Sequence, residues 1–166
     1  MHDIKVLLKE FSDIASSPAQ QLKKVIASGK KAVGIFPYFC PEELVDAAGM
    51  VPFGIWGADM QAAEAKRYYP AFICSILQTA LELGLKGAFN ELSAVMIPTS
   101  CDSLKGMSAN WRYGVKTVPV IEVAIAQNRK TAAGIAFTAA KFRKIRDQLS
   151  EISGKEITDE AVAASI

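Results

Sequence analysis

The chain has 166 residues, 51% of them hydrophobic and 22% charged, with a net charge of +2. That is enough for one domain with a sizeable core, and the interspersed charges leave no basic stripe for nucleic acid and no acidic tail. Met1-His2-Asp3-Ile4-Lys5 lacks the apolar segment of a signal peptide, and no apolar run reaches the ~18 residues of a membrane span, so the expectation is a soluble, cytoplasmic protein.

Ile4, Leu7, Leu8, Phe11 and Ile14 recur at helical spacing, and Pro18 opens a second helix that Gly29 ends. Ala32 to Phe36 is a short apolar run that reads as a buried strand closed by Pro37. Pro41 sits at a first helical position, followed by Glu42 and Glu43 and a helix to Gly49. Pro52 to Trp56 is a second strand candidate, with Gly54-Ile55-Trp56-Gly57 as its tight exit. Helices are predicted over Asp59–Tyr69 and Ile73–Leu85, and a third strand over Ala94–Ile97. Asp102 to Trp111 is helical, with Asp102 as its predicted cap or as an acid. Thr117 to Val123 is a fourth strand, for which Pro119 argues an edge position or an early start. A long helix, Arg129–Ile152, ends near Gly154, and a short one covers Thr158–Ala164.

Short apolar strands alternating with helices specify an α/β fold: three layers, a mostly parallel sheet with helices on both faces, preceded by N-terminal helices. The expected division is an N-terminal helical segment over 1–29, an α/β domain over 30–128, and a long helix with the start of a connection over 129–166.

In such sheets, sites form beyond the carboxyl ends of the strands. Cys40 follows the first strand, Cys101 follows the third, and Cys74 opens a helix returning to that edge. Each lies at or near a helix N-terminus, where partial positive charge favours thiolate. In a reducing compartment the three are free thiols, small buried residues or metal ligands. Without a C-x-x-C pair, spacing alone leaves these readings open. The one histidine, His2, stands at the terminus, which argues against Cys–His or Ser–His catalysis. There is no G-x-S-x-G, no Walker A loop and no G-x-G-x-x-G. Asn110-Trp111-Arg112 reads as a core tryptophan beside a surface arginine. Lys141, Arg143, Lys144 and Arg146 read as the solvated face of the long helix.

Three motifs carry a resemblance. Cys40-Pro41-Glu42-Glu43-Leu44-Val45-Asp46-Ala47-Ala48-Gly49-Met50-Val51-Pro52 resembles the opening motif of the 2-hydroxyacyl-CoA dehydratase and benzoyl-CoA reductase family. Pro70-Ala71-Phe72-Ile73-Cys74-Ser75 is similar to its second motif. Ile97-Pro98-Thr99-Ser100-Cys101-Asp102-Ser103-Leu104, with Asn110-Trp111 behind it, is similar to its third. Trp56-Gly57 makes the chain look most like the smaller, β-type subunit.

The resemblance implies a subunit of two α/β domains holding a 4Fe–4S cluster on three cysteines. Cys74 and Cys101 match two of those ligands, and Cys40 matches a neighbour of the cluster. The third ligand is expected from a second domain beyond Ile166. It further implies an α-type partner subunit that binds the acyl-CoA substrate, and an ATP-dependent iron–sulfur activator that injects an electron. The implied reaction is radical elimination of water from (R)-2-hydroxyacyl-CoA through a ketyl radical anion, with the β-type cluster as relay. The alternatives are a ring-reducing subunit or a cluster-free docking domain.

Overall fold

The computed structural model describes residues 3–166, so His2 lies outside them. Four strands form one parallel sheet in the order β2-β1-β3-β4: β1 (Ala32–Ile35), β2 (Val51–Gly54), β3 (Ala94–Pro98) and β4 (Val120–Val123). Seven α-helices accompany it, namely α1 (Ile4–Ala15), α2 (Pro18–Ala27), α3 (Glu42–Ala47), α4 (Ser75–Leu85), α5 (Asp102–Gly114), α6 (Ala132–Ser153) and α7 (Asp159–Ser165). This is the α/β layering expected from the sequence, with N-terminal helices ahead of the sheet.

β1 and β3 are the central strands and are buried throughout, which explains why both read as unbroken apolar runs. Their side chains alternate between two cores. Ala32, Phe36, Val95 and Ile97 face a core completed by α4 and α5, including Leu81, Met107 and Trp111. Val33, Ile35, Ala94 and Met96 face a second core with Leu44, Val45, Ile145 and Leu149 from α3 and α6. β4 is an edge strand, as Pro119 requires: its carbonyl accepts the Val95 N–H at 2.9 Å, and the missing N–H breaks no ladder.

Helix ends follow ordinary chemistry. The Thr131 hydroxyl accepts the Gly134 N–H at 3.1 Å to start α6, and Gly154 ends it at φ 75°. α1 forms as its periodicity predicts, but none of its residues is buried; Ile4, Val6, Leu8 and Phe11 face outward.

Two local predictions are corrected. Asp59–Tyr69 is not an α-helix; its only helical turn is a 3₁₀ turn at Ala65–Arg67. Its backbone donors go elsewhere. Ala58 N–H bonds the Thr79 hydroxyl at 3.3 Å, and Ala63 and Ala65 N–H bond Glu82 Oε2 at 3.0 and 2.9 Å. Side chains of α4 thus replace the i−4 carbonyls, and Ala62 and Ala65 turn into the core. Asp102 does not cap α5. It occupies the first helical position and pairs with Lys105 at 3.0 Å, while Cys101 is the cap.

Candidate functional site

The sheet order changes direction between β1 and β3: β2 lies outside β1, and β4 outside β3. The crevice beyond their carboxyl ends is where ligands bind in open α/β sheets. Cys40 follows β1 at this switch point and Cys101 follows β3.

Cys101 is the N-cap of α5. Its backbone is extended, at φ −142° and ψ 164°, and its sulfur accepts the Leu104 N–H at 3.4 Å. A thiol here does the work normally given to a serine or aspartate oxygen. Cys74 is the N-cap of α4 with no side-chain cap bond, so its sulfur is uncommitted. Both thiols are exposed. Each caps the N-terminus of a helix longer than ten residues, the positive end of its dipole.

Cys40 behaves differently. Its Sγ lies 3.4 Å from the Phe36 carbonyl and 3.6 Å from the Met96 carbonyl, so its single S–H is shared between an acceptor just past β1 and one within β3. Burial, followed by the charge of Glu42, pushes its pKa up to about 12. The expectation that a helix start favours thiolate is therefore corrected at this cysteine: burial and the charge of Glu42 keep the proton on sulfur, and α3 is only six residues long. It also packs on the core behind α3 and α6, whereas Cys74 and Cys101 cap helices of the opposite layer. Brief alkylation of the native protein at pH 8 should modify Cys74 and Cys101 and spare Cys40, as peptide mapping would show. Equal labelling of all three would contradict this placement.

Gly57 sets the approach of the β2 exit to α4. Its φ is 79°, and a Cβ there would lie 2.3 Å from the Thr79 hydroxyl and 2.9 Å from the Ile76 carbonyl. Only glycine satisfies both the left-handed backbone and the contact. The residue before it, Trp56, is half exposed and meets the Tyr38 ring edge-on at 5.6 Å. Phe39 is also left-handed, at φ 68°, with the Arg129 guanidinium 5.3 Å from its ring centroid. That backbone costs about 1–3 kcal/mol, and the cation over the ring partly offsets it. These aromatics rim the same sheet edge beside Cys40.

Tyr69 links the thiol-bearing helices. Its ring is buried, and its hydroxyl donates to the Ser103 carbonyl in the first turn of α5 at 3.3 Å. Asn110 holds the adjacent backbone, donating to the Tyr68 carbonyl at 3.1 Å. Sequence reasoning did not single out Tyr69; its one signal is its place directly before the motif that begins at Pro70. Glu82 was missed too, because a carboxylate inside an apolar helix carries no motif.

Residues 37–166 match the family model described as 2-hydroxyglutaryl-CoA dehydratase, D-component. The chain belongs to this dehydratase family. Among its relatives, the (R)-phenyllactyl-CoA dehydratase beta subunit of Clostridium sporogenes is 45% identical over 95% of the chain. The (R)-2-hydroxyglutaryl-CoA dehydratase subunit beta of Acidaminococcus fermentans is 42% identical over 98%. A benzoyl-CoA reductase subunit of Thauera aromatica is 29% identical over 94%. The chain spans 42%, 44% and 41% of these relatives' lengths, respectively.

The family resemblance implies an iron–sulfur cluster, and the residues can be tested for it. Exposed sulfur donors at two helix N-termini suit a soft-ligand centre. Among the described residues no group of three or more cysteine, histidine, aspartate or glutamate side chains could hold a metal ion. No described helix is long and apolar enough to cross a membrane.

Proposed function

We propose that the chain is the N-terminal part of a β-type subunit of a 2-hydroxyacyl-CoA dehydratase, contributing Cys74 and Cys101 to a 4Fe–4S cluster. The observation that carries this reading is the pair of exposed thiols capping α4 and α5 within a chain of this family. The remaining protein ligand comes from outside the chain. The cluster, when bound, supplies one-electron transfer. The chain's own residues supply the thiolates, the positive helix ends that stabilise them, and the fixed layer that holds α4 and α5 together. Cys40, held as a thiol by burial and the charge of Glu42, stays a neighbour.

In this reading the protein works with an α-type subunit that binds the (R)-2-hydroxyacyl-CoA, and with an ATP-dependent iron–sulfur activator that delivers the electron. Dehydration is favoured over ring reduction because three dehydratase β subunits share 38–45% identity with the chain and the reductase subunit 29%.

The test is anaerobic expression of the full-length protein with its partner subunit, iron and sulfide. The wild type should be brown, with the broad absorbance of a 4Fe–4S centre. Cys74→Ala and Cys101→Ala should each lose most of the iron, whereas Cys40→Ala should keep it. A colourless wild-type complex, or iron retained in both ligand variants, rejects the reading and leaves a docking domain without a cluster.

A further inference from the structure

We propose that Tyr69 is a positioning residue for the sulfur pair, its buried hydroxyl serving as a hydrogen-bond donor shared by Cys74 and Cys101 once they carry charge in the cluster. The inference rests on the cluster reading above and names the residue that tunes the centre.

The geometry gives three reasons. First, Tyr69 ties the two ligand-bearing elements together. Tyr69 lies five residues before Cys74 in sequence, and its oxygen reaches the carbonyl of Ser103, two residues after Cys101. Second, the present bond is weak. An O–H···O distance of 3.3 Å is well beyond the usual ~2.7–2.8 Å, so the proton is readily redirected to a nearby anion. Third, the ring itself is fixed. It is buried against α5, where a Cβ on Gly106 would lie 3.7 Å from its edge carbon, and Asn110 bonds the Tyr68 carbonyl beside it. A fixed ring with a loosely held proton is suited to answer charge at a single place.

The electrostatics agree with this geometry. Burial raises the pKa of the Tyr69 hydroxyl, the nearby Asn110 amide lowers it, and negative charge on Cys74 and then on Cys101 raises it further. The hydroxyl thus keeps its proton and remains a donor. A phenylalanine would fill the same space, and the long bond to Ser103 contributes little to folding, so a structural role leaves the oxygen unexplained. Hydrogen bonds to ligating sulfur favour the more negative, reduced state of an iron–sulfur centre. Removing one lowers the potential.

The experiment compares wild-type and Tyr69→Phe proteins in the assembled, anaerobically reconstituted complex. Iron content and thermal stability are measured first, then the EPR spectrum and midpoint potential. The expected result is unchanged iron and folding with an altered EPR line shape. The reduced-to-oxidised ratio at fixed potential should fall about tenfold, equivalent to a shift of 59 mV for one electron. Asn110→Ala, which frees the neighbouring backbone but keeps the hydroxyl, should shift the potential by less, and it serves if Tyr69→Phe fails to fold. Potentials and spectra equal to wild type overturn the inference while the cluster reading stands. A wild type without iron overturns that reading and this inference with it.

Discussion

Replacing Glu82 with alanine should destabilise the fold by about 3 kcal/mol and release the segment between Gly57 and Tyr69. The carboxylate is fully buried, and its Oε2 accepts the N–H groups of Ala63 and Ala65. Its Oε1 makes no hydrogen bond and meets Lys86 Nζ at 3.0 Å as an ion pair. Each buried donor left without a partner costs about 1–3 kcal/mol. Ala63 is exposed and can turn to water; Ala65 is fully buried and cannot. Lys86 is half exposed, so losing its partner adds little. Urea unfolding of wild type and variant checks the value, and limited proteolysis should find a new cut between residues 57 and 69.

The same carboxylate makes stability depend on pH. Burial alone would raise its pKa, but the Ala65 N–H, Lys86 and the Ala63 N–H together outweigh burial and hold it below the usual glutamate range. A depressed folded-state pKa contributes stability above the unfolded value, near 4.3, and that contribution is lost as pH falls through the folded value. Glu82→Gln should therefore flatten the stability curve below about pH 4.3 and leave its shape at neutral pH unchanged.

Trp111→Ala should cost about 3–5 kcal/mol, the range for truncating a large buried aromatic. The indole is fully buried; its N–H donates to the Val118 carbonyl at 3.2 Å. It meets Phe36 edge-on at 5.5 Å and stacks with Phe89 at 6.0 Å. It also presses on Gly84 of α4, where any Cβ would lie 2.9 Å from the ring. The substitution thus empties the contact between α4 and α5 and leaves the Val118 carbonyl without its donor. Thermal unfolding followed by near-ultraviolet circular dichroism would report both losses. A loss under 1 kcal/mol would mean that the helices close the gap without strain.

Most of the scaffold could be read from the sequence because its signals were local. The central strands declared themselves as apolar runs bounded by proline, Pro119 marked an edge, and Gly29 and Gly154 marked helix ends. The cysteines could be placed at one sheet edge for the same reason. What escaped depends on distant partners. Asp59–Tyr69 has the composition of a helix, but Glu82 and Thr79 draw its backbone away. Cys40 has the position of an activated thiol, yet it is buried beside the Met96 carbonyl, 56 residues on, and that burial keeps its proton. Tyr69 finds its hydrogen-bond partner at Ser103, 34 residues on. None of these pairings has a spacing that a sequence displays.

The contact between Gly84 and Trp111 acts at a distance. Gly84 is ten residues from Cys74, and Trp111 is ten residues from Cys101. At ~1.5 Å per residue, each sulfur rides on a rigid arm of about 15 Å measured from that shared pivot. A change of ~5° in the angle between the arms would move one helix end by about 1.3 Å, more than half an iron–sulfur bond length. The separation of the two thiols is thus set by how closely a glycine lets an indole approach, at the far end of both helices.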